Sequence, residues 1–282
     1  MNTNAIRMNL AWQGGTGNSH LMKAQGKTIF ITGTARGIGQ ALAVAYAKAG
    51  CRVIGCDLGQ QNETAAMVGE AYTQLIGDIA TPEGAKALVD QAIDIGFDVL
   101  INNAGIATSG TFADADFARW KRTIDVNLIG LMAVTHAALP HLRSRPEAHI
   151  VNLSSIAGAW GSPGMAAYCA SKHGVTGFTR SLEYELADTK IGVSCIHPSM
   201  ARTRMIDDVP NTKLTPVIEP DDVVKAVMRA VEFNTPQIFV PGRMRWMINI
   251  IPRLFPSLTK RLLLSDKNAQ GWTNANKDVP EI

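Results

Sequence analysis

The chain has 282 residues, of which 46% are hydrophobic and 18% charged, with a formal net charge of +3. That length suffices for one large domain or two small ones with a substantial buried core. The balance excludes a nucleic-acid binder built on a basic stripe, because the lysines and arginines are scattered and not interleaved with aromatic residues.

The opening segment, 1–26, has no sustained apolar run and lacks the charged start, apolar centre and cleavage site of a signal peptide. It is expected to drape over the surface or to be mobile. From Lys27 onward, short β-rich runs alternate with helical patterns. "KTIFITG" reads as a buried strand, and "GIGQALAVAYAKAG" as a helix of small apolar residues stopped by Gly50. "CRVIGCD" is a second strand, followed by a polar, poorly periodic segment over 58–71 that predicts a short helix or a loop. "AYTQLIGD" is the third strand. In "TPEGAKALVDQAIDIG" Thr81 caps a helix with Pro82 at its first position.

"FDVLINNAG" reads as the fourth strand, then one helix over 117–142, then the strand "AHIVNLSS". A helix carrying Tyr168 runs to about Asp188, and "IGVSCIHP" is a sixth strand. A helix opening at "EPDDVVKAVMRAV" precedes the last strand, "PQIFVPG". Strands apolar on both faces, alternating with helices, predict an α/β fold with a doubly wound, mostly parallel, Rossmann-like sheet. No repeat or linker divides it. The expected organisation is an extension over 1–26, a single domain over 27–242 and a helical tail over 243–282.

The four cysteines, Cys51, Cys56, Cys169 and Cys195, show no C-x-x-C spacing and lie in apolar segments, which predicts buried free thiols in a reducing compartment and a cytoplasmic location. The six histidines form no ligand pattern, so no metal is expected. No run reaches the ~18 uninterrupted apolar residues of a membrane span.

The first strand empties into "TGTARGIG". Glycines 33, 37 and 39 free the backbone to turn tightly and approach a pyrophosphate at a helix N-terminus. Such a pattern is weak alone, but this one lies between a strand and a helix. The second strand ends in Asp57, at roughly the ~20-residue separation where a carboxylate takes the ribose 2′-hydroxyl. That carboxylate repels a 2′-phosphate and favours NAD over NADP, whereas Arg36 inside the turn argues for NADP. Asp57, lying directly on the ribose, is weighed more heavily.

In "YCASK", Lys172 follows Tyr168 by one helical turn, so phenol and ammonium share a helix face. A nearby ammonium favours phenolate and makes tyrosine a usable acid or base. Taken together with "TGTARGIG", Asp78 in "GDI", "NNAG" at 102–105, Asn127 in "DVN" and "NLSS" at 152–155, the chain resembles the single-domain branch of the short-chain dehydrogenase/reductase family.

The resemblance implies hydride transfer between a nicotinamide coenzyme and a secondary alcohol or ketone, without metal. Tyr168 is then the acid/base, Lys172 its partner, Ser155 rather than Ser154 the holder of the substrate oxygen, and Asn127 a relay to water. Coenzyme contacts would come from Gly33, Arg36, Gly37, Ile38 and Gly39 in the turn and from Asp57. Asp78 and Ile79 would lie at the adenine, and Asn103, Ala104 and Gly105 after the fourth strand. Tyr168, Lys172, Pro198 and Thr203 would complete the set. "HPSMART" has Ser199 where the family usually has glycine, which puts the local backbone path in question. The resemblance also implies a homodimer or homotetramer.

Substrate choice falls to the segment "MARTRMIDDVPNTKLTPVIEP", read as a lid in which Met200, Met205 and Ile206 face either substrate or core. The tail mixes Trp246, Ile248, Ile250, Ile251, Leu254, Phe255 and Leu262 to Leu264 with arginines and lysines, and Pro252 and Pro256 break it into short helices. Three readings stay open for it: peripheral contact with a membrane, packing on another subunit, or a cap over the cleft. An apolar tail there favours a lipophilic substrate. Two rivals remain for the whole chain. One is an epimerase or dehydratase, whose glycine spacing is shorter and whose C-terminal domain is longer. The other is a non-catalytic NAD(H)-sensing or scaffold protein, a class that tends to lose the tyrosine or the lysine.

Overall fold

The computed structural model describes residues 21–203, 215–265 and 272. Strand β1 (Thr28–Thr32) is buried along its whole length. It is followed by α1 (Gly37–Lys48), β2 (Arg52–Asp57), α2 (Asn62–Val68), β3 (Tyr72–Ile76), α3 (Pro82–Ile95) and β4 (Val99–Asn102). Then come α4 (Phe117–Ile124), α5 (Leu131–Ser144), β5 (Ala148–Leu153), α6 (Ala166–Glu185) and β6 (Ile191–Pro198). Two-residue strands β7 (Met200–Ala201) and β8 (Val217–Ile218) pair with each other, and α7 (Pro220–Phe233) and β9 (Gln237–Val240) complete the sheet region.

The main sheet has seven strands in the order β3-β2-β1-β4-β5-β6-β9, every neighbouring pair parallel. Alternation along the strands divides the core. Ile29, Ile31 and Ile101 pack with Leu42 and Tyr46 of α1 and Val223 and Val227 of α7 on one face. Phe30 and Leu100 pack with Leu88 of α3, Val134 of α5 and Leu182 of α6 on the other. The chain winds outward from β1 to β3 and returns on the far side of β1 to form β4. This reversal leaves a crevice at the carboxyl ends of β1 and β4, where ligands enter open parallel sheets.

Helix starts follow local chemistry. Thr81 Oγ1 accepts the Gly84 N–H at 3.1 Å with Pro82 at the first helical position of α3, a cap worth about 1 kcal/mol. Glu219 and Asp222 form a reciprocal capping box on α7, which ends at Asn234 with φ of 45°. The polar segment over 58–71 resolves into α2 and a 3₁₀ turn over Gly69–Ala71. Its periodicity is faint because Thr64 alone in α2 is fully buried.

The helix expected over 117–142 is interrupted. A π-helical turn, Asp125–Gly130, separates α4 from α5 and holds Asn127. Gly130 permits it, since a Cβ there would lie 2.6 Å from the Ile79 carbonyl oxygen. The stretch 117–144 is the one helical run among the described residues long and apolar enough to cross a membrane. Its Leu131, Val134, Ala138 and Leu142 are buried in the domain, as in an internal helix.

The described end of the N-terminal extension is docked. Met22 is buried, its N–H donates to the Glu232 carbonyl at 3.1 Å, and Cys51 Sγ lies 3.0 Å from the Ala24 carbonyl oxygen. All four cysteines are free and buried. After β9 come three short helices, α8 (Met244–Asn249), α9 (Ile251–Leu254) and α10 (Pro256–Ser265), with Pro252 in the first turn of α9 and Pro256 opening α10.

Candidate active site

The glycine turn leaves β1 with Gly33 at φ of 76° and Gly37 at 61°, a region that L side chains rarely adopt. Close packing adds a second constraint. A Cβ on Gly33 would meet Ala104 Cα at 2.7 Å, and one on Gly39 would fall 1.9 Å from the Gly33 carbonyl oxygen. Asn103 Nδ2 donates to the carbonyls of Thr32 and Gly33 at 2.9 and 3.0 Å. The N–H groups of Asn103 and Ala104 reach Thr32 Oγ1, each at 3.0 Å. Asn103 and Ala104 thus lock the end of β4 onto the turn.

Helix α1 begins at Gly37 without a side-chain cap and with no acid in its first turn. Its N–H groups and positive dipole end are therefore suited to a pyrophosphate. Ile38 lies in this first turn and Arg36 is exposed just before it. Asp57 stands at the end of β2, accepting the N–H groups of Ala35 and Leu58, both at 2.8 Å. Asp78 is paired with Arg122 of α4 at 2.9 Å. Burial alone would raise its carboxyl, but hydrogen bonds from Arg122 and from the Ala80 N–H outweigh this and hold it below the ordinary value. Neighbouring Ile79 is buried. Thr203 lies over the turn: a Cβ on Gly37 would be 3.3 Å from its Cγ2. These residues fit a dinucleotide laid across the crevice.

Tyr168 and Lys172 share one face of α6. Lys172 Nζ is 5.8 Å from the Tyr168 ring centroid and donates to the Leu153 carbonyl at 2.8 Å. Ser155 follows β5; its hydroxyl bonds Tyr168, accepts the Ala157 N–H at 3.1 Å, and lies 3.5 Å from the Pro198 carbonyl oxygen. Ser154 is turned away, donating to the Lys172 carbonyl at 3.0 Å and lying 2.9 Å from Thr176 Oγ1. Asn127 clasps Ile106, accepting its N–H at 2.8 Å and donating to its carbonyl at 2.9 Å. A Cβ on Gly105 would lie 3.1 Å from Asn127 Oδ1 and 3.5 Å from Lys172 Nζ, so glycine keeps open the gap between those two groups.

Burial pushes the Tyr168 phenol up to about 12, partly offset by the Ser155 hydrogen bond. Burial draws the Lys172 ammonium down to about 8, against a weak opposing pull from Cys195. The sequence suggests that Lys172 lowers Tyr168. In the structure desolvation raises the ring's phenol instead, and what opposes it is the Ser155 hydrogen bond.

Three contributors carry no sequence signature. His197, fully buried on β6, lies with Nδ1 3.1 Å from the Ser155 carbonyl oxygen. Its Nε2 is 2.8 Å from Gln237 Nε2 on β9, and its ring stacks on Phe239. An amide nitrogen donates, so Nε2 accepts and the imidazole proton sits on Nδ1, pointing at Ser155. Burial pulls His197 down to about 4, which keeps it neutral. Arg122 is the second. The third is Trp272, buried in an apolar cluster with Met165, Cys169 and Met200, against which the Tyr168 ring packs.

Ser199 is accommodated without strain, because its backbone is outside the left-handed region. Its N–H donates to the Val240 carbonyl at 2.8 Å, although its buried hydroxyl has no hydrogen-bond partner among the described residues. Met205 and Ile206, with most of the expected lid, lie outside the described residues.

Comparison with known proteins identifies the family and the fold. The model of the short chain dehydrogenase family matches residues 27–214. Estradiol 17-beta-dehydrogenase 11 of Rattus norvegicus is 33% identical over 242 residues, covering 82% of this chain and 80% of its own. A short chain dehydrogenase from Burkholderia cenocepacia, crystallised with NADP, superposes with a TM-score of 0.76 at 27% identity, over 86% of this chain and 99% of that one. A 3-ketoacyl-(acyl-carrier-protein) reductase from Brucella melitensis, crystallised with NADH, gives 0.71 at 26% identity, over 77% and 98%. With a cleft of this construction and a family match spanning most of its length, the chain belongs to the short-chain dehydrogenase/reductase family and is an oxidoreductase acting on CH–OH groups.

Proposed function

We propose that this oxidoreductase exchanges hydride between NAD(H) and a lipophilic secondary alcohol or its ketone. The observation that carries this reading is the setting of Tyr168, with the Ser155 hydroxyl at its polar end and a wall of Met165, Cys169, Met200 and Trp272 beside its ring. When bound, the nicotinamide ring takes or gives the hydride. Ser155 holds the substrate oxygen as charge shifts onto it. Tyr168 passes the proton, as donor to a ketone and acceptor from an alcohol. Lys172 and Asn127 border the gap beside Gly105 and, in this reading, relay the proton between the tyrosine and water.

The relatives are named for estradiol and for a 3-ketoacyl group, which supports this reading. The coenzyme is a nicotinamide dinucleotide, and Asp57 favours NAD by opposing a 2′-phosphate. The test is coenzyme reduction over a panel of secondary alcohols from small polar to steroid-like, with NAD and NADP side by side. Turnover concentrated on lipophilic alcohols with NAD is expected. Tighter binding of NADPH than NADH would overturn the coenzyme choice, and preference for small polar alcohols would overturn the substrate class.

A further inference from the structure

Helices α8 to α10 present two unlike sides. Inward, Met244 and Ile248 are buried with Phe239 and with Ile156, which follows Ser155. Outward, Trp246, Ile250, Leu254 and Leu258 recur at every fourth position and are all exposed, Trp246 by 65% and Leu254 by 66%. Ile251 and Phe255 flank them and are exposed as well. Backbone hydrogen bonds link the three helices across the prolines, and Phe255 bends the chain between α9 and α10 at φ of −133° and ψ of 62°. Ile250 N–H reaches Trp246 O at 3.1 Å, Leu254 N–H reaches Ile250 O at 3.0 Å, and Thr259 N–H reaches Phe255 O at 3.0 Å. The result is a bent helical rod with an apolar outer stripe.

Charge decides what fits it. Arg243, Arg245, Arg253, Lys260 and Arg261 are exposed along the rod, and no aspartate or glutamate occurs between Arg243 and Ser265. Among the described residues none of the five meets a carboxylate. A second copy docking by the same face would set like charges against each other. A cap over the cleft would bury the stripe, which is exposed. A span across the bilayer is ruled out by the five cations and two prolines.

We propose that α8–α10 form a platform lying in the interface of an anionic lipid surface, its apolar stripe among the acyl chains and its basic residues at the phosphates. The inference concerns lipid alone and stands independently of the substrate. Each basic residue near such a surface contributes about fivefold to partitioning, so neutralising three lowers it roughly hundredfold.

The experiment is co-sedimentation of the full chain with vesicles of phosphatidylcholine, with and without phosphatidylglycerol. Binding is expected to the anionic vesicles and to weaken with salt. Arg245→Gln, Arg253→Gln and Lys260→Gln combined should abolish it while NADH binding persists. Trp246→Ser with Leu254→Ser should also release the protein. Binding that ignores lipid charge, or that survives neutralisation, overturns the proposal. So does failure to bind at all, or a fall in oligomeric mass in the serine variant, which would make the face a subunit contact.

Discussion

In the proposed reaction Tyr168 carries the proton, and its surroundings set the direction in which it works without help. A phenol held near 12 is protonated throughout the neutral range, ready to donate to a ketone. The base form that alcohol oxidation needs is scarce there, and grows tenfold per pH unit below the operative pKa. At saturating coenzyme, kcat/KM for oxidation is therefore expected to climb from pH 6 toward the alkaline range while reduction stays level; the opposite slopes would contradict the role. Tyr168→Phe should fold and bind coenzyme yet lose turnover by orders of magnitude. At this scale the grouping of the candidate residues was legible where they fall in contiguous motifs: the fold brings Tyr168, Lys172 and Ser155 together, as their spacing suggests. Their protonation was not, because it depends on desolvation by distant segments. Trp272 was missed for a related reason: a lone tryptophan in a polar tail shows nothing of the Met165, Cys169 and Met200 cluster it joins.

Among the elements, the buried strands announce themselves by composition, and α3 and α7 by their caps. The interruption at Asn127 left no trace in the hydrophobic pattern, because apolar residues continue through the π turn. Its only local mark is Gly130. Strands β7 and β8 are too short for periodicity to register. The pairing of β6 with β9 matters beyond the sheet, since it brings Gln237 to His197 and, through that ring, reaches Ser155. His197→Phe keeps the stack on Phe239 and removes the donor. It is expected to lower kcat by roughly tenfold, the scale of one lost hydrogen bond, with KM for coenzyme unchanged. His197→Asn, which restores an N–H near Nδ1, should recover part of the rate. A variant that loses thermal stability but keeps wild-type kcat would reduce the histidine to a structural role.

For the whole molecule, two buried imidazoles link folding to acidity. Burial holds His149 down to about 3 and His197 down to about 4. As pH falls through 6.5, the unfolded chain takes up protons that the folded chain refuses, so stability drops until the folded pKa values are reached. Asp78, depressed by Arg122, acts in the same direction at lower pH. Between pH 7 and 5 the two histidines together cost roughly 4 kcal/mol, and Tm should fall by several degrees or more. A Tm flat over that interval in thermal scans would show that these rings are hydrated or protonated in the fold. The parallel sheet and its ligand crevice were readable from the order of segments alone, but this acid sensitivity was not, since neither His149 nor His197 stands out in its strand.

The bond between Gln237 and His197 has a temporal side. Synthesis runs from the N-terminus, so the glycine turn, Asp57, Tyr168 and Lys172 all leave the ribosome before β9 does. A nascent chain stalled short of Gln237 already contains the residues proposed to hold a dinucleotide and to move a proton, but lacks the amide that fixes the imidazole proton toward Ser155. The hydrogen bond that orients the imidazole therefore forms only once the last strand of the sheet has been made and docked.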